Sequence, residues 1–447
     1  MYRMVFSIMA YCLVLPPAKA QVTTATILAD LKAVNDSITA TDCRKGVGPL
    51  VSNRAMNLFL ANKIGYYLSG YDDLSFYKNN TTFNSGDGMF TLNHNLFQAK
   101  GGDRAVRSFL VVGARANVAN AFAATFSNRS FSNELGATLK QTWLAKVKTS
   151  FAACHSDGSP ATNAKMAMDA RRAAILHSLE VAANERTIAF EKSIGAIQPS
   201  DVPGQALQDV RKKLREAFYA DMQYEYGYQF ALLQAEALDK YKVYKLISTN
   251  WTSISTYIPM MSRKFVVAGS LAGELAAKYA YPWAFTVRHT RFWESSQWGR
   301  CYLSLEGSLL LNSQGQSNTL QRLTRAEYIS MGGTDPNINR IKGNEVLIGK
   351  FGHFLTPRTE LQWVYFPPES HIGFSVAAEK HFGTYKVLNA VVGIPITLID
   401  KKGIPAADFS FAYHFFDIGN KVSPQDQLDS RNFVSMAIGI PFSKIIF

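Results

Sequence analysis

Cysteine is scarce in this chain of 447 residues: Cys12, Cys43, Cys154 and Cys301 are all there is, and no two form a C-x-x-C pair. A disulfide framework and a structural zinc site are therefore excluded. Cys43 and Cys154 remain candidates for a single bridge. Cys301 shares strand parity with Leu303 and Leu305, as a small apolar residue facing lipid would. Charge is also thin, at 18% of residues against roughly 25% in soluble domains. Beyond the first twenty residues no stretch reaches the roughly 18 consecutive apolar positions a membrane helix needs. Catalytic signatures are missing too. The eight histidines are scattered, without H-E-x-x-H, and there is no G-x-S-x-G elbow. The expectation is no enzyme, no cofactor and no metal.

What the chain does have begins at its first residues. Arg3, an apolar run from Met4 to Pro17 and Ala18-Lys19-Ala20 ahead of Gln21 read as a signal peptide over 1–20. An exported chain without a helical anchor is either soluble outside the cytoplasm or a β-barrel. The formal charge of +13 then points to lipid phosphates or anionic glycans, or to solubility alone, and not to nucleic acid.

The periodicity changes three times. Residues 21–85 read as mainly helical, with Thr24 as a cap and Leu58, Phe59, Ile64 and Tyr67 as an apolar face. Residues 86–148 alternate with period two. Leu135, Ala137, Leu139 and Trp143 face one way, Glu134, Gly136, Thr138, Lys140 and Thr142 the other. Residues 149–248 return to a helical period and read as a long hairpin over Ala161 to Ile247, broken at Pro199–Gly204, with charges spread as on a solvated helix pair. From 249 to 447 strands resume.

Twelve strand candidates follow: Met89–Phe97, Ser108–Phe126, Asn133–Leu144, Trp251–Met260, Phe265–Leu275, Trp283–Trp293, Arg300–Asn312, Thr356–Phe366, Ser370–Phe382, Tyr385–Ile399, Ile404–Ile418 and Asn432–Phe447. In the last, Val434, Met436, Ile438 and Ile440 oppose Ser435, Ala437 and Gly439. Apolar groups on one face and small or polar groups on the other suit a strand with lipid outside and a wetter space within. The predicted fold is an all-β outer-membrane barrel of about twelve antiparallel strands, with a helical N-terminal segment and a helical hairpin insertion.

Ile-Pro recurs near strand ends at Ile258-Pro259, Ile394-Pro395 and Ile440-Pro441, which predicts one shared barrel rim. If the final strand descends to the periplasm, the twelve-strand count places the connections Lys146–Thr249, Ser313–Phe354 and Gly419–Arg431 together on the outer face. A further strand at Val346–Phe354 would move the helical hairpin to the periplasm.

The Ile-Pro strand, the Asp400-Lys401-Lys402-Gly403 turn, the Phe409-Ser410-Phe411-Ala412-Tyr413-His414-Phe415 strand and the terminal Gly439–Phe447 run together resemble outer-membrane barrels of Bacteroidota. The resemblance covers mainly Trp251–Phe447 and carries no defined functional motif. It implies an outer-membrane location and a porin-like barrel.

With this alternation, Arg115, Glu134, Lys140, Arg288, Glu306, Glu360, Glu379 and Asp408 are predicted to line the lumen. Charges of both signs there either neutralise one another, the favoured reading, or line a solute path. Trp251, Trp283, Trp293, Trp298, Tyr302, Trp363, Tyr365 and Phe416 near strand ends are predicted to form aromatic girdles. Two functions follow: a non-enzymatic channel or transport-associated barrel, or a membrane-anchored scaffold whose helical insertion binds a protein partner or surface glycan.

Overall fold

The computed structural model describes residues 22–63, 79–84, 89–95, 103–117, 136–154, 163–198, 207–260, 262–269, 274–314, 320–330, 339–384, 386–399, 405–419 and 432–442. The signal peptide, Glu134 and Phe447 of the sequence reading lie outside these residues.

In chain order the helices are α1 (Thr24–Thr39), α2 (Asn53–Lys63), α3 (Ala164–Gly195) and α4 (Leu207–Tyr241). The strands are β1 (Asn79–Asn84), β2 (Met89–Asn95), β3 (Ser108–Asn117), β4 (Gly136–Leu144), β5 (Lys148–Phe151), β6 (Tyr244–Pro259), β7 (Arg263–Ala268), β8 (Leu275–Ala280), β9 (Ala284–Ser295), β10 (Gly299–Ser313), β11 (Gln321–Ser330), β12 (Asn339–Ile348), β13 (His353–Phe366), β14 (Phe374–His381), β15 (Leu388–Ile399), β16 (Pro405–Phe415) and β17 (Phe433–Phe442).

Strand pairing runs β4-β3-β2-β1-β17-β16-β15-β14-β13-β10-β9-β6 and returns to β4, closing a twelve-stranded antiparallel barrel. The closing pair matches Gly136 to Pro259 and Leu144 to Trp251. Short β5 extends the wall beside the start of β6. β11, β12, β7 and β8 form a separate four-stranded sheet. The expected fold class and strand number are therefore correct, but two assignments change. Asn79–Asn84, inside the segment read as helical, is a barrel strand. Phe265–Leu275, read as a barrel strand, spans β7 and the start of β8 in the small sheet.

These changes reverse part of the topology. With β6 followed in the wall by β9, the connection carrying α3 and α4 leaves the barrel at the end opposite the long connections 314–352 and 416–432. The helical end also carries the short turns 296–298 and 367–373. There Gly299 sits at φ +82, where a Cβ would lie 2.3 Å from the Phe366 carbonyl oxygen, so only glycine fits. The three long connections do not share one face. Nor do the Ile-Pro pairs share a rim. Pro441 pairs with Asn80 at the helical end and Pro395 lies toward it, whereas Pro259 pairs with Gly136 at the other.

Three of the helix starts are capped locally. Thr23 and Thr26 form a capping box on α1, the Ser52 hydroxyl accepts from Ala55 N at 3.1 Å on α2, and Asn163 accepts from Lys165 N and Met166 N on α3. The end of α1 has no basic residue of its own. Lys165 of α3 supplies the cation, donating to the carbonyls of Ile38 at 3.0 Å and Thr39 at 3.2 Å while pairing with Asp169. Fully buried Arg172 bonds Asn35, Thr39, the Leu50 carbonyl and Asp169, and burial lowers its pKa despite that carboxylate. Ile27, Leu31, Leu179, Ala183, Met222, Tyr226 and Phe230 form the core shared by α1, α3 and α4. A Cys43–Cys154 disulfide ties the α1–α2 linker to the segment after β5, realising the one bridge the sequence allowed.

Candidate functional site

Inward and outward faces alternate as the period-two pattern requires. On β17, Ser435 and Ala437 are buried inside while Val434 and Ile440 are 70% and 50% exposed on the outer wall. On β4, Lys140 and Thr142 are buried, with Leu139 and Trp143 exposed. Such an outer wall of Leu, Ile, Val and Phe has no favourable contact with water. Cys301 keeps its outward parity but is covered: the Trp363 indole donates to its sulfur at 3.0 Å.

The lumen charges assemble on one side of the barrel. Cross-strand register sets Arg288 of β9 beside Glu306 of β10, Glu306 beside Glu360 of β13, and Glu360 beside Glu379 of β14. Arg288 donates through Nε to Glu306 at 2.7 Å and stands 3.6 Å from Glu360. Arg358 donates to Glu306, to Glu379 at 3.2 Å and to Ser308 at 3.3 Å. Glu379 also takes the His381 ring and the Asn389 amide, the latter at 3.0 Å. The result is an alternating ladder, Arg288–Glu306–Arg358–Glu379–His381, stitching β9, β10, β13 and β14. Arg288 and Glu306 are only 8% and 6% exposed. Charge at that burial is tolerable only because each group meets its opposite at hydrogen-bonding distance.

Of the eight predicted lining residues, Arg288, Glu306, Glu360 and Glu379 are thus brought together. Lys140 and Asp408 are buried inward on other strands, Asp408 level with Thr397 and Gly439. Arg115 holds a backbone position opposite Thr91 and Gly136 on the inward row. Arg358 and His381 were missed, although each lies two residues from a predicted member, Glu360 or Glu379, and so shares its parity.

The helical end of the lumen is filled. Val51, Met56, Phe59 and Leu60, in and just before α2, form one buried cluster with the inward-facing Phe109, Leu144, Trp251, Phe292, Tyr302, Val364 and Phe366. The Lys63 carbonyl at the end of α2 accepts from Tyr302 Oη and from Arg300 at 3.1 Å. Lys63 Nζ bonds Asp239 of α4 at 2.5 Å and lies 3.7 Å from Glu294 of β9. Ser52 N donates to buried Gln234 of α4 at 2.9 Å. Trp251 and Tyr302 therefore leave the aromatic girdle assigned to them. They face inward and seat the helix, because each stands on the parity of Thr249, Ser253 and Ser304. Trp363 does face outward on β13, at 37% exposure, and Trp283 and Trp298, just outside the strands, are 37% and 76% exposed.

A closed antiparallel barrel with an apolar outside and a polar, ion-paired inside has the build of an outer-membrane barrel. No protein-family model matches the chain, and no curated protein matches it. Among solved structures it is similar to the NanC porin, at 7% identity over 82% of this chain and 99% of that one, with a TM-score of 0.28. It is also similar to the β-domain of the Bordetella autotransporter BrkA, at 8% identity over 82% and 96%, with a TM-score of 0.26. The barrel assignment rests on the strand pairing itself.

Proposed function

We propose that the protein is a non-conducting, non-enzymatic outer-membrane barrel that anchors a four-helix domain at the periplasmic face, where the domain serves as a docking platform for a protein partner. The observation that carries this reading is the burial of Phe59 and Leu60 among Trp251, Phe292, Tyr302 and Phe366. A mouth packed dry by a helix does not pass solute, and in the ladder beyond it each arginine is held by carboxylates. The periplasmic placement follows from the rule that outer-membrane barrels keep short turns inside and long loops outside. The helices share their end with the short turns. That side also disfavours a surface glycan as the ligand of the insertion. Apolar side chains left on the helices, Ile188 at 70% and Tyr224 at 58% exposure, support docking of a protein.

The test is chemical access in cells. A Ser200→Cys variant, between α3 and α4, should escape a membrane-impermeant maleimide until the outer membrane is opened. A Ser317→Cys variant, in the connection 314–352, should label at once. A photocrosslinking residue at Ile188 or Tyr224 should then yield a discrete protein adduct. Labelling of Ser200→Cys on intact cells, or no adduct from either helix position, overturns the proposal.

A further inference from the structure

The outer wall has a gap in its apolar cover. On β6 and β9, four polar side chains face outward as a two-by-two block: Thr252 stands opposite His289, and Asn250 opposite Arg291. Thr252 Oγ1 lies 2.9 Å from His289 Nδ1. Arg291 and Asn250 have no side-chain hydrogen bond or ion pair among the described residues. The neighbours in the same rows are apolar: Trp143 on one side at 46% exposure, Leu303 and Leu305 on the other at 39% and 59%. A polar block within a hydrocarbon-facing surface is unfavourable unless something hydrogen-bonds it.

Depth orders the block. Trp293 lies two residues beyond Arg291 on β9, toward the helical end. With a rise of roughly 3.3 Å per residue and a tilt of roughly 40°, Arg291 sits about 5 Å and His289 about 10 Å inward of that indole. The guanidinium is thus about 5 Å nearer the rim than the imidazole, the order in which a lipid presents its phosphate and the glycerol esters beneath it.

We infer that Asn250, Thr252, His289 and Arg291 bind an anionic phospholipid of the leaflet on the helical side. Arg291 and Asn250 hold its phosphodiester, His289 and Thr252 meet its glycerol esters, and its chains run along Leu303 and Leu305. The charge favours this occupant over a second copy of the chain. Every Asp and Glu on the described barrel strands faces inward, so another barrel wall offers Arg291 no carboxylate. The inference rests on the outer-membrane reading above.

The full chain is purified in mixed micelles of equal phosphatidylglycerol and phosphatidylethanolamine, and the lipid retained per protein is counted by mass spectrometry. Wild type should prefer phosphatidylglycerol by about fivefold, the ratio that follows from about 1 kcal/mol for one basic residue at a lipid surface. Arg291→Leu should abolish the preference and His289→Leu should reduce total retention. Lys380→Leu, which removes an outward cation near the opposite rim, should change neither. Equal preference in wild type and Arg291→Leu, or the same loss in Lys380→Leu, overturns the site. So does rapid disulfide dimerisation of Asn250→Cys in membranes, which would put protein over the block. Heat-modifiable mobility in gels reports barrel insertion separately. If insertion fails, the membrane reading falls with the site; if the barrel inserts but shows no lipid preference, only the site falls.

Discussion

Tyr302 of β10 donates its hydroxyl proton to the backbone carbonyl of Lys63, the last residue of α2. That contact makes the plug helix part of the barrel. A helix-terminal carbonyl has no partner within its own helix, and here the barrel wall supplies two donors, Tyr302 and Arg300. The ammonium of the same lysine reaches Asp239 on α4 and Glu294 on β9. One residue thereby joins plug, helical domain and barrel.

Truncating the plug should loosen it. Phe59 is 1% exposed and packs edge-on to Tyr244, with ring centroids 6.0 Å apart. Phe59→Ala should weaken the seated helix by about 3–5 kcal/mol, the usual result of emptying a phenylalanine site. The expected readouts are a lower midpoint of heat-modifiable gel mobility and channel openings in planar bilayers. Ile188→Ala, on an exposed face, is the control and should change neither.

The lumen ladder makes a different prediction. Glu306 faces two guanidiniums, so Glu306→Gln weakens a charged contact of both Arg288 and Arg358 and leaves each with one carboxylate, Glu360 and Glu379 respectively. The expected loss is about 1.5–3 kcal/mol in urea unfolding of the folded barrel, the usual worth of a charged hydrogen bond. Adding Arg288→Gln to that variant deletes the other partner of an interaction already lost. The double variant should therefore lose clearly less than the sum of the two single changes. Strict additivity would mean the two residues do not act as a pair.

The helical domain should respond to acid. Arg215 of α4 grips Glu191 of α3 through Nε at 3.0 Å and Nη2 at 2.7 Å, and that hydrogen bonding holds the carboxyl below its ordinary pKa. A depressed carboxylate pKa stabilises the fold fully above the unfolded value of roughly 4.3 and stops doing so as pH falls through the folded value. Hydrogen exchange of α3 and α4 should speed up as pH falls from the unfolded value of roughly 4.3 through the lower folded value, after correction for intrinsic rates. In Glu191→Gln that acid-dependent part should be smaller, with faster exchange already at neutral pH.

How much of this was legible beforehand depends on the strand. Where both faces have a clear character, as on β4 and β17, parity alone separates the outward Leu139, Trp143, Val434 and Ile440 from the inward Lys140, Thr142, Ser435 and Ala437. Arg288, Glu306, Glu360 and Glu379 are read the same way, one strand at a time, whereas Arg358 and His381 escape that reading. The pairing within the ladder is not read so, because it depends on cross-strand register between segments far apart in the chain. β1 escaped notice because Asn79-Asn80-Thr81-Thr82-Phe83-Asn84 carries one large apolar residue, too few for an alternation to show. Phe265–Leu275 misled for the opposite reason. Its first part is strand, within Arg263–Ala268, but that sheet is separate from the barrel wall. The plug was hidden because Ala55, Met56, Phe59 and Leu60 make an ordinary amphipathic stripe. Nothing in a helix's own residues says that the surface it covers is the inside of a barrel.

The claim on which the account depends is that the helical end of the lumen is shut. Conductance of the purified full chain in planar lipid bilayers tests it most directly. The account predicts a silent bilayer for the wild type and openings once Phe59 is truncated. Steady, ohmic conductance from the unaltered protein would contradict it.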